Sequence, residues 1–190
     1  MNKTTLVIEN CEPELSGWLV LEYRHACSIW KDDVILTNMA EPGAGDKLGK
    51  IPNLRIVRDS VSSQFSRDEY LLLDPSSDKM LSPDDFENQR ALVVGGILGT
   101  EKPSGRTKTL IADRCGCETR CLGKYQLSID GAVFVAKAVS LGMAPEDIEI
   151  AGELEIAHDE THSTVLPFGY PVVDGVPIIT PGLIKYLSEL

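Results

Sequence analysis

Three short runs have the residue types of a small-molecule site. Asp74-Pro75 follows the apolar residues 71–73, Gly95-Gly96-Ile97-Leu98-Gly99 follows residues 91–94, and Leu122-Gly123 follows residues 119–121. In an open α/β sheet, ligands sit beyond the carboxyl ends of the strands. Glycines at those ends let a backbone close directly on a ligand. The usual nucleotide fingerprints are absent. No Gly-Lys-Ser/Thr follows the GGILG run, so it is not a P-loop. Gly43-Ala-Gly45-Asp-Lys-Leu-Gly49 is one residue too long for G-x-G-x-x-G.

Side chains with catalytic potential are scattered around these runs. Glu9 lies near the end of an apolar strand pattern, and Glu22 sits one helical turn after Trp18. An acid beside an aromatic at that spacing is either a solvated helix residue or part of a pocket for a flat cation. Arg106 falls in the first turn of an expected helix, where the helix dipole disfavours a cation, so a specific anionic partner is expected for it. Asp130 also sits in a first turn, where an acid is comfortable. Cys115, Cys117 and Cys121 form a dense thiol cluster, but C-x-C followed by C-x-x-x-C lacks zinc spacing and a fourth ligand, so reduced, metal-free thiols are expected. His158 and His162 have helical ligand spacing without the HExxH sequence, and no G-x-S-x-G supports hydrolase chemistry.

These residues need a scaffold, and the patterning supplies one. Strands are expected over 5–8, 34–36, 54–57, 70–73, 91–94 and 119–122. Helices are expected over 15–30, with Ser16 as N-cap, over 104–112 from Ser104, and over 128–141 from Ser128. Residues 42–49 read as a loop. This alternation predicts an α/β fold with a mainly parallel sheet. Residues 1–144 read as the core and 145–190 as an acidic extension packed on it, with strands at 149–150 and 154–156, a Pro-rich stretch, and a helix over 181–190. The chain has 190 residues and a net charge of −11, and no Lys or Arg lies between Lys137 and Lys185. Such a surface repels a phosphate backbone, and it is either a face that attracts a basic partner or a solvated face that only aids solubility. The N-terminus turns acidic too early for a signal peptide and no apolar run is long enough for a bilayer, so a cytoplasmic protein is expected.

The motifs together resemble the SPOUT superfamily of S-adenosylmethionine-dependent methyltransferases, and more narrowly the branch that methylates an arginine of a small-subunit ribosomal protein. The matching residues are Val7-Ile8-Glu9, Trp18-Leu-Val-Leu-Glu22-Tyr23, Leu72-Leu73-Asp74-Pro75, the GGILG run with Pro103 and Arg106-Thr107, Arg120-Cys-Leu122-Gly123 with Gln126 and Asp130, and Pro167-Phe168-Gly-Tyr170. The resemblance implies a sheet whose C-terminal part is threaded as a trefoil knot. It also implies S-adenosylmethionine held largely by backbone in three loops: Leu73, Asp74 and Pro75; Gly95, Gly96, Ile97, Leu98 and Gly99; Leu122, Gly123, Gln126 and Leu127. Methyl transfer to arginine needs a carboxylate to orient the guanidinium, whose pKa is very high. Glu9 and Glu22 are the candidates, with Asp74 and Asp130 as alternatives, and Trp18 and Arg106 are candidates for binding the substrate. The expected partner is a basic, ribosomal protein, with direct nucleic-acid binding disfavoured and the protein a monomer or homodimer. An RNA methyltransferase of the same superfamily, or a catalytically silent cofactor-binding module in ribosome assembly, are the other readings.

Overall fold

A computed structural model describes residues 4–99, 105–157 and 163–189. Its centre is a six-stranded sheet built from β1 (Thr5–Asn10), β2 (Val34–Thr37), β3 (Leu54–Ile56), β4 (Tyr70–Leu73), β5 (Ala91–Gly96) and β6 (Glu118–Arg120). The order is β3-β2-β1-β5-β4-β6, and every pair is parallel. Strands covered on both faces read as continuous apolar runs rather than alternating ones, and β1 and β4 do so. Val7 and Leu72 point to one core cluster, Leu6, Ile8, Leu71 and Leu73 to the other.

Two helices cover one face. In α1 (Gly17–Trp30), Leu19, Tyr23, Ala26, Cys27 and Trp30 are buried at helical spacing, and Ser16 caps it by accepting from Leu19 N. In α5 (Ile129–Ser140), Ser128 accepts from Gly131 N at 3.2 Å. Both caps match the sequence expectation. The short helices α2 (Ala44–Leu48), α3 (Asp85–Asn88) and α4 (Asp113–Cys115) complete this part of the chain, with a π-helical turn at Lys108–Ala112 leading into α4.

Several boundaries differ from those expected. The loop over 42–49 contains α2. Gly95 and Gly96 belong to β5 itself, since both still pair with β1. Beyond α5 the chain forms a small sheet of β7 (Ile150–Ala151), β10 (Tyr170–Val173) and β11 (Val176–Pro177), a hairpin of β8 (Leu154–Ala157) and β9 (Ser163–Leu166), and α6 (Leu183–Ser188). The last three strands were not expected; Pro171 and Pro177 demote the segments of β10 and β11 as strand candidates. Leu166, Phe168 and Tyr170 form a third core cluster, against which Trp18 packs. The proposed cap Ser104, the family-matched Pro103, the His158–His162 pair and the last residue of the expected terminal helix lie outside the described residues.

Candidate active site

A cavity of about 460 Å³ opens beyond the carboxyl ends of β4, β5 and β6. Leu73, Asp74, Pro75, Gly95, Ile97, Leu98, Gly99, Leu122, Gly123, Gln126 and Leu127 line it, so all three sequence runs converge there. Gly96 is the exception. A Cβ on Gly96 would overlap the Tyr23 hydroxyl and lie 3.1 Å from both the Asn10 Cα and the Glu9 carbonyl oxygen. The side-chain period of a strand turns it away from the cavity and toward α1. Its absent side chain therefore serves core packing, which corrects the expectation that it approaches the ligand. Tyr125, Ser128, Ile129 and Ala132 also line the cavity, where nothing in their residue type marked them.

The walls combine main chain and apolar side chains, and each cation among them already has a partner. Arg106 donates to Glu12 Oε1 at 2.7 Å and to the Leu98 carbonyl at 3.2 Å. Arg120 makes a forked pair with Asp85 at 2.8–3.1 Å and a further bond to Glu118. The Lys124 ammonium lies 5.0 Å from the Tyr125 ring centroid. The anion sought for Arg106 is thus Glu12, a residue the sequence reading passed over although it stands just past the end of β1. Asp74 lines the cavity and uses Oδ1 to accept from Ser76 N and Oγ at 2.9 and 2.8 Å, which fixes the turn after β4.

The other carboxylates stand elsewhere. Glu9 is buried and is not among the cavity-lining residues. It accepts from Thr37 Oγ1, from Ser60 Oγ at 2.6 Å and from Val61 N at 2.9 Å, tying β1 to β2 and to the turn at Ser60. Three donors within the protein hold the Glu9 oxygens, which places this candidate at the β1–β2 tie and outside the large cavity. It faces a separate cleft of about 180 Å³, which Cys11, Ser60 and Arg114 also line.

Glu22 and Asp130 form a buried acidic seam between α1 and α5. Glu22 is 2% exposed and accepts from Trp18 Nε1 at 2.5 Å and from Ile129 N at 3.0 Å. Burial, reinforced by the nearby Asp130, pushes its carboxyl up to about 8, against the opposing pull of those hydrogen bonds. Trp18 thus meets Glu22 through the edge of its indole, not through a face that would sandwich a cation. Asp130 accepts from Ser128 Oγ at 2.7 Å, Gly131 N at 2.9 Å, His25 Nδ1 at 2.6 Å and Thr180 Oγ1 at 2.5 Å. Neither acid lines the cavity, but Ile129 and Ser128, which they hold, do. The structure thus places both candidates directly behind the cavity wall.

The thiol cluster is divided. Cys115 and Cys117 touch at 2.7 Å beneath β4, while Cys121 lines the cavity. Burial raises Cys117 to about 12.

Fold and cavity together define a class: an α/β protein with three loops at the ends of parallel strands lining one cavity. The chain belongs to the SFM1-like protein arginine N-methyltransferase family, whose family model matches residues 5–190, and it is a methyltransferase. It is 28% identical over 200 residues to protein arginine N-methyltransferase SFM1 of Saccharomyces cerevisiae, covering 96% of this chain and 93% of that protein. The crystal structure of the yeast arginine methyltransferase SFM1 complexed with SAM superposes with a TM-score of 0.84 at 26% identity, covering 100% of this chain and 91% of that one. The crystal structure of dual specific Trm10 from Thermococcus kodakaraensis shares the fold, with a TM-score of 0.60 at 17% identity over 75% of this chain and 96% of that one. Among the described residues no helix is long and apolar enough to cross a membrane.

Proposed function

We propose that this protein transfers a methyl group from S-adenosylmethionine to an arginine of a basic protein, specifically a small-subunit ribosomal protein. The observation that carries the reading is the cavity at the strand ends. Its size, its glycine-bearing main chain and the apolar flanks from Leu73, Ile97, Leu122 and Leu127 suit a nucleoside with an amino-acid tail. Its two arginines are held by Glu12 and Asp85, and Lys124 lies over the Tyr125 ring. When bound, S-adenosylmethionine supplies a methyl group already activated on a sulfonium. What remains for the chain is to bind, orient and exclude water. The GGILG loop and the turns after Leu73 and Leu122 hold the cofactor, and Asp74 and Gln126 offer polar groups to its sugar and tail.

The acidic span from Glu146 to Asp174, without Lys or Arg, favours a cationic protein over RNA as partner. In this reading residues 145–190 form an extension that meets the substrate and direct nucleic-acid binding is absent. The enzyme works in the cytoplasm as a monomer or homodimer. The chain after β6 passes through an earlier loop as a trefoil knot. In support of the knot, Cys121 N donates to Lys79 O and Leu81 N to Cys121 O, while Gly169 N donates to Gln126 O, interleaving three distant segments.

Tritiated S-adenosylmethionine, incubated with separated ribosomal proteins and rRNA, tests the reading. Label is expected on arginine of a basic protein. Label in rRNA would make this an RNA methyltransferase, and cofactor binding without transfer to any fraction would make it a silent binding module.

A further inference from the structure

Arg106 lines the cavity while its partner Glu12 is not among the lining residues, and the pair is asymmetric. Glu12 is anchored from several sides: Asn10 Nδ2 donates to its carbonyl at 2.9 Å, Leu98 N donates to Oε1 at 2.9 Å, and Asn10 is itself held by Tyr23 and Asn38. Its side chain is 15% exposed. Arg106, by contrast, is 33% exposed, carries a long flexible stem, and follows Gly105, whose φ is +64°. It also sits at the start of a helical segment, where the dipole opposes a cation. A rigid carboxylate therefore holds a loosely tethered guanidinium. The place where it does so lies between the large cavity, which Arg106 lines, and the smaller cleft, which the neighbouring Cys11 lines.

We propose that Glu12 is the carboxylate that positions the acceptor guanidinium, and that Arg106 occupies its subsite until a substrate arginine displaces it. The inference rests on the arginine-methyltransferase reading. A guanidinium offers five donors in a planar fork, so an incoming arginine can repeat the contacts of Arg106 with Glu12 Oε1 and the Leu98 carbonyl. Arg106 keeps a third of its side chain in solvent, so an incoming guanidinium can reach the pair and exchange with it. A self-occupied site lowers apparent affinity by the fraction of time it is free, which disfavours stray arginines and requires further contacts from a true substrate.

The probe is N-ethylguanidinium, titrated calorimetrically into protein saturated with S-adenosylhomocysteine. This reads the acceptor subsite without turnover. Removing the occupant in Arg106→Ala, or separately in Arg106→Gln, is expected to tighten the probe on the order of tenfold. Glu12→Gln keeps an oxygen for Leu98 N but loses the charge, and is expected to lose probe binding both alone and combined with Arg106→Ala. In the wild type, the Arg106 side-chain Nε–H resonance is expected to shift on adding the probe. Unchanged affinity in both Arg106 variants, retained binding in Glu12→Gln, or an Arg106 signal indifferent to the probe would overturn the inference. If labelled methyl never reaches arginine while the probe behaves as expected, the functional reading fails and the guanidinium site stands.

Discussion

The cavity beyond β4, β5 and β6 and the seam between α1 and α5 meet at Ile129, yet they are made of opposite materials. The cavity is glycine, leucine and main chain, with Arg106 and Arg120 neutralised by Glu12 and Asp85. The seam is rich in residues that look chemical: Glu22, Asp130, His25, Thr180 and the Trp18 indole, bonded to one another and to the first turn of α5. The difference lies in where recognition is placed. A ligand read by backbone groups leaves no charged signature. A buried polar network carries the residue types of an active site, while its work is to hold a helix whose N-terminal turn forms the cavity wall. Residue type alone therefore points toward the seam, and only strand-end position points toward the cavity.

The strongest way to break this comparison is to remove the hub of the seam. Asp130→Ala leaves the donors of Ser128, His25 and Thr180 without this acceptor in a buried place, while Gly131 N keeps Ser128 Oγ. Stripping one partner from such a network costs about 3–5 kcal/mol. Denaturant unfolding should show that loss. The fraction that remains folded should still bind S-adenosylhomocysteine within a few-fold of wild type. A variant of native stability that fails to bind the ligand would place Asp130 in the site and not behind it.

A second measurement uses the proton on Glu22. Its carboxyl is raised from 4.5 to about 8 in the folded protein. Between those values the native state keeps a proton that the unfolded chain releases. Stability therefore falls as pH rises through that window and levels off above about 8. Glu22→Gln cannot titrate and should flatten the curve. From pH 5.5 to 7.5 the wild type should lose about 2–3 kcal/mol relative to the variant. Parallel stability curves would mean that Glu22 is ionised throughout, and the hydrogen bonds from Trp18 and Ile129 would then outweigh its burial.

Much of the scaffold was legible because both faces of the sheet are covered. Leu71–Leu73 and the apolar start of β5 could hardly be anything but interior strands, and Ser16 and Ser128 announce their helices by capping. The three cavity runs were legible from glycine and Asp-Pro at strand ends. Gly96 was not, since one residue of register decides which face a strand residue addresses. The surroundings of Glu9 and Glu22 are hidden from the sequence for a related reason. A carboxylate's role depends on the donors around it, and Ser60, Val61 and Ile129 lie 51, 52 and 107 residues away in sequence. Glu12 could have been found by pairing the misplaced cation Arg106 with the nearest acid at the end of β1.

The register difference itself gives a third test. A Cβ on Gly99 would overlap the Gln126 amide and the Phe168 ring, pushing Gln126 toward the space it lines. Gly99→Val should weaken S-adenosylhomocysteine about 30-fold, roughly 2 kcal/mol, in a protein that still folds. Gly96→Val should do the reverse. Overpacking Tyr23 and β1 should cost about 1–3 kcal/mol of stability and leave affinity of the folded fraction within threefold. Calorimetry and denaturant unfolding on both variants separate the two glycines, and identical behaviour would erase the distinction drawn between them.

The smallest effect concerns salt, and it bears on the paired cations. S-adenosylhomocysteine carries one ammonium and one carboxylate and so has no net charge. The cavity meets it with main chain, apolar walls and two arginines paired to Glu12 and Asp85 at 2.7–2.8 Å, with Lys124 over the Tyr125 ring. Screening acts on separated, uncompensated charge and weakens sharply inside such close pairs. Its affinity should therefore change less than twofold between about 50 and 500 mM salt. The acidic stretch from Glu146 to Asp174 has no such compensation from within, since residues 138–184 carry no Lys or Arg at all. Over the same range, the KM for a basic protein substrate should rise about tenfold, because capture there depends on exposed charge. A steep salt dependence of S-adenosylhomocysteine binding would mean that Arg106 or Arg120 leaves its carboxylate to hold the ligand's own carboxylate, and the cavity would then read charge after all.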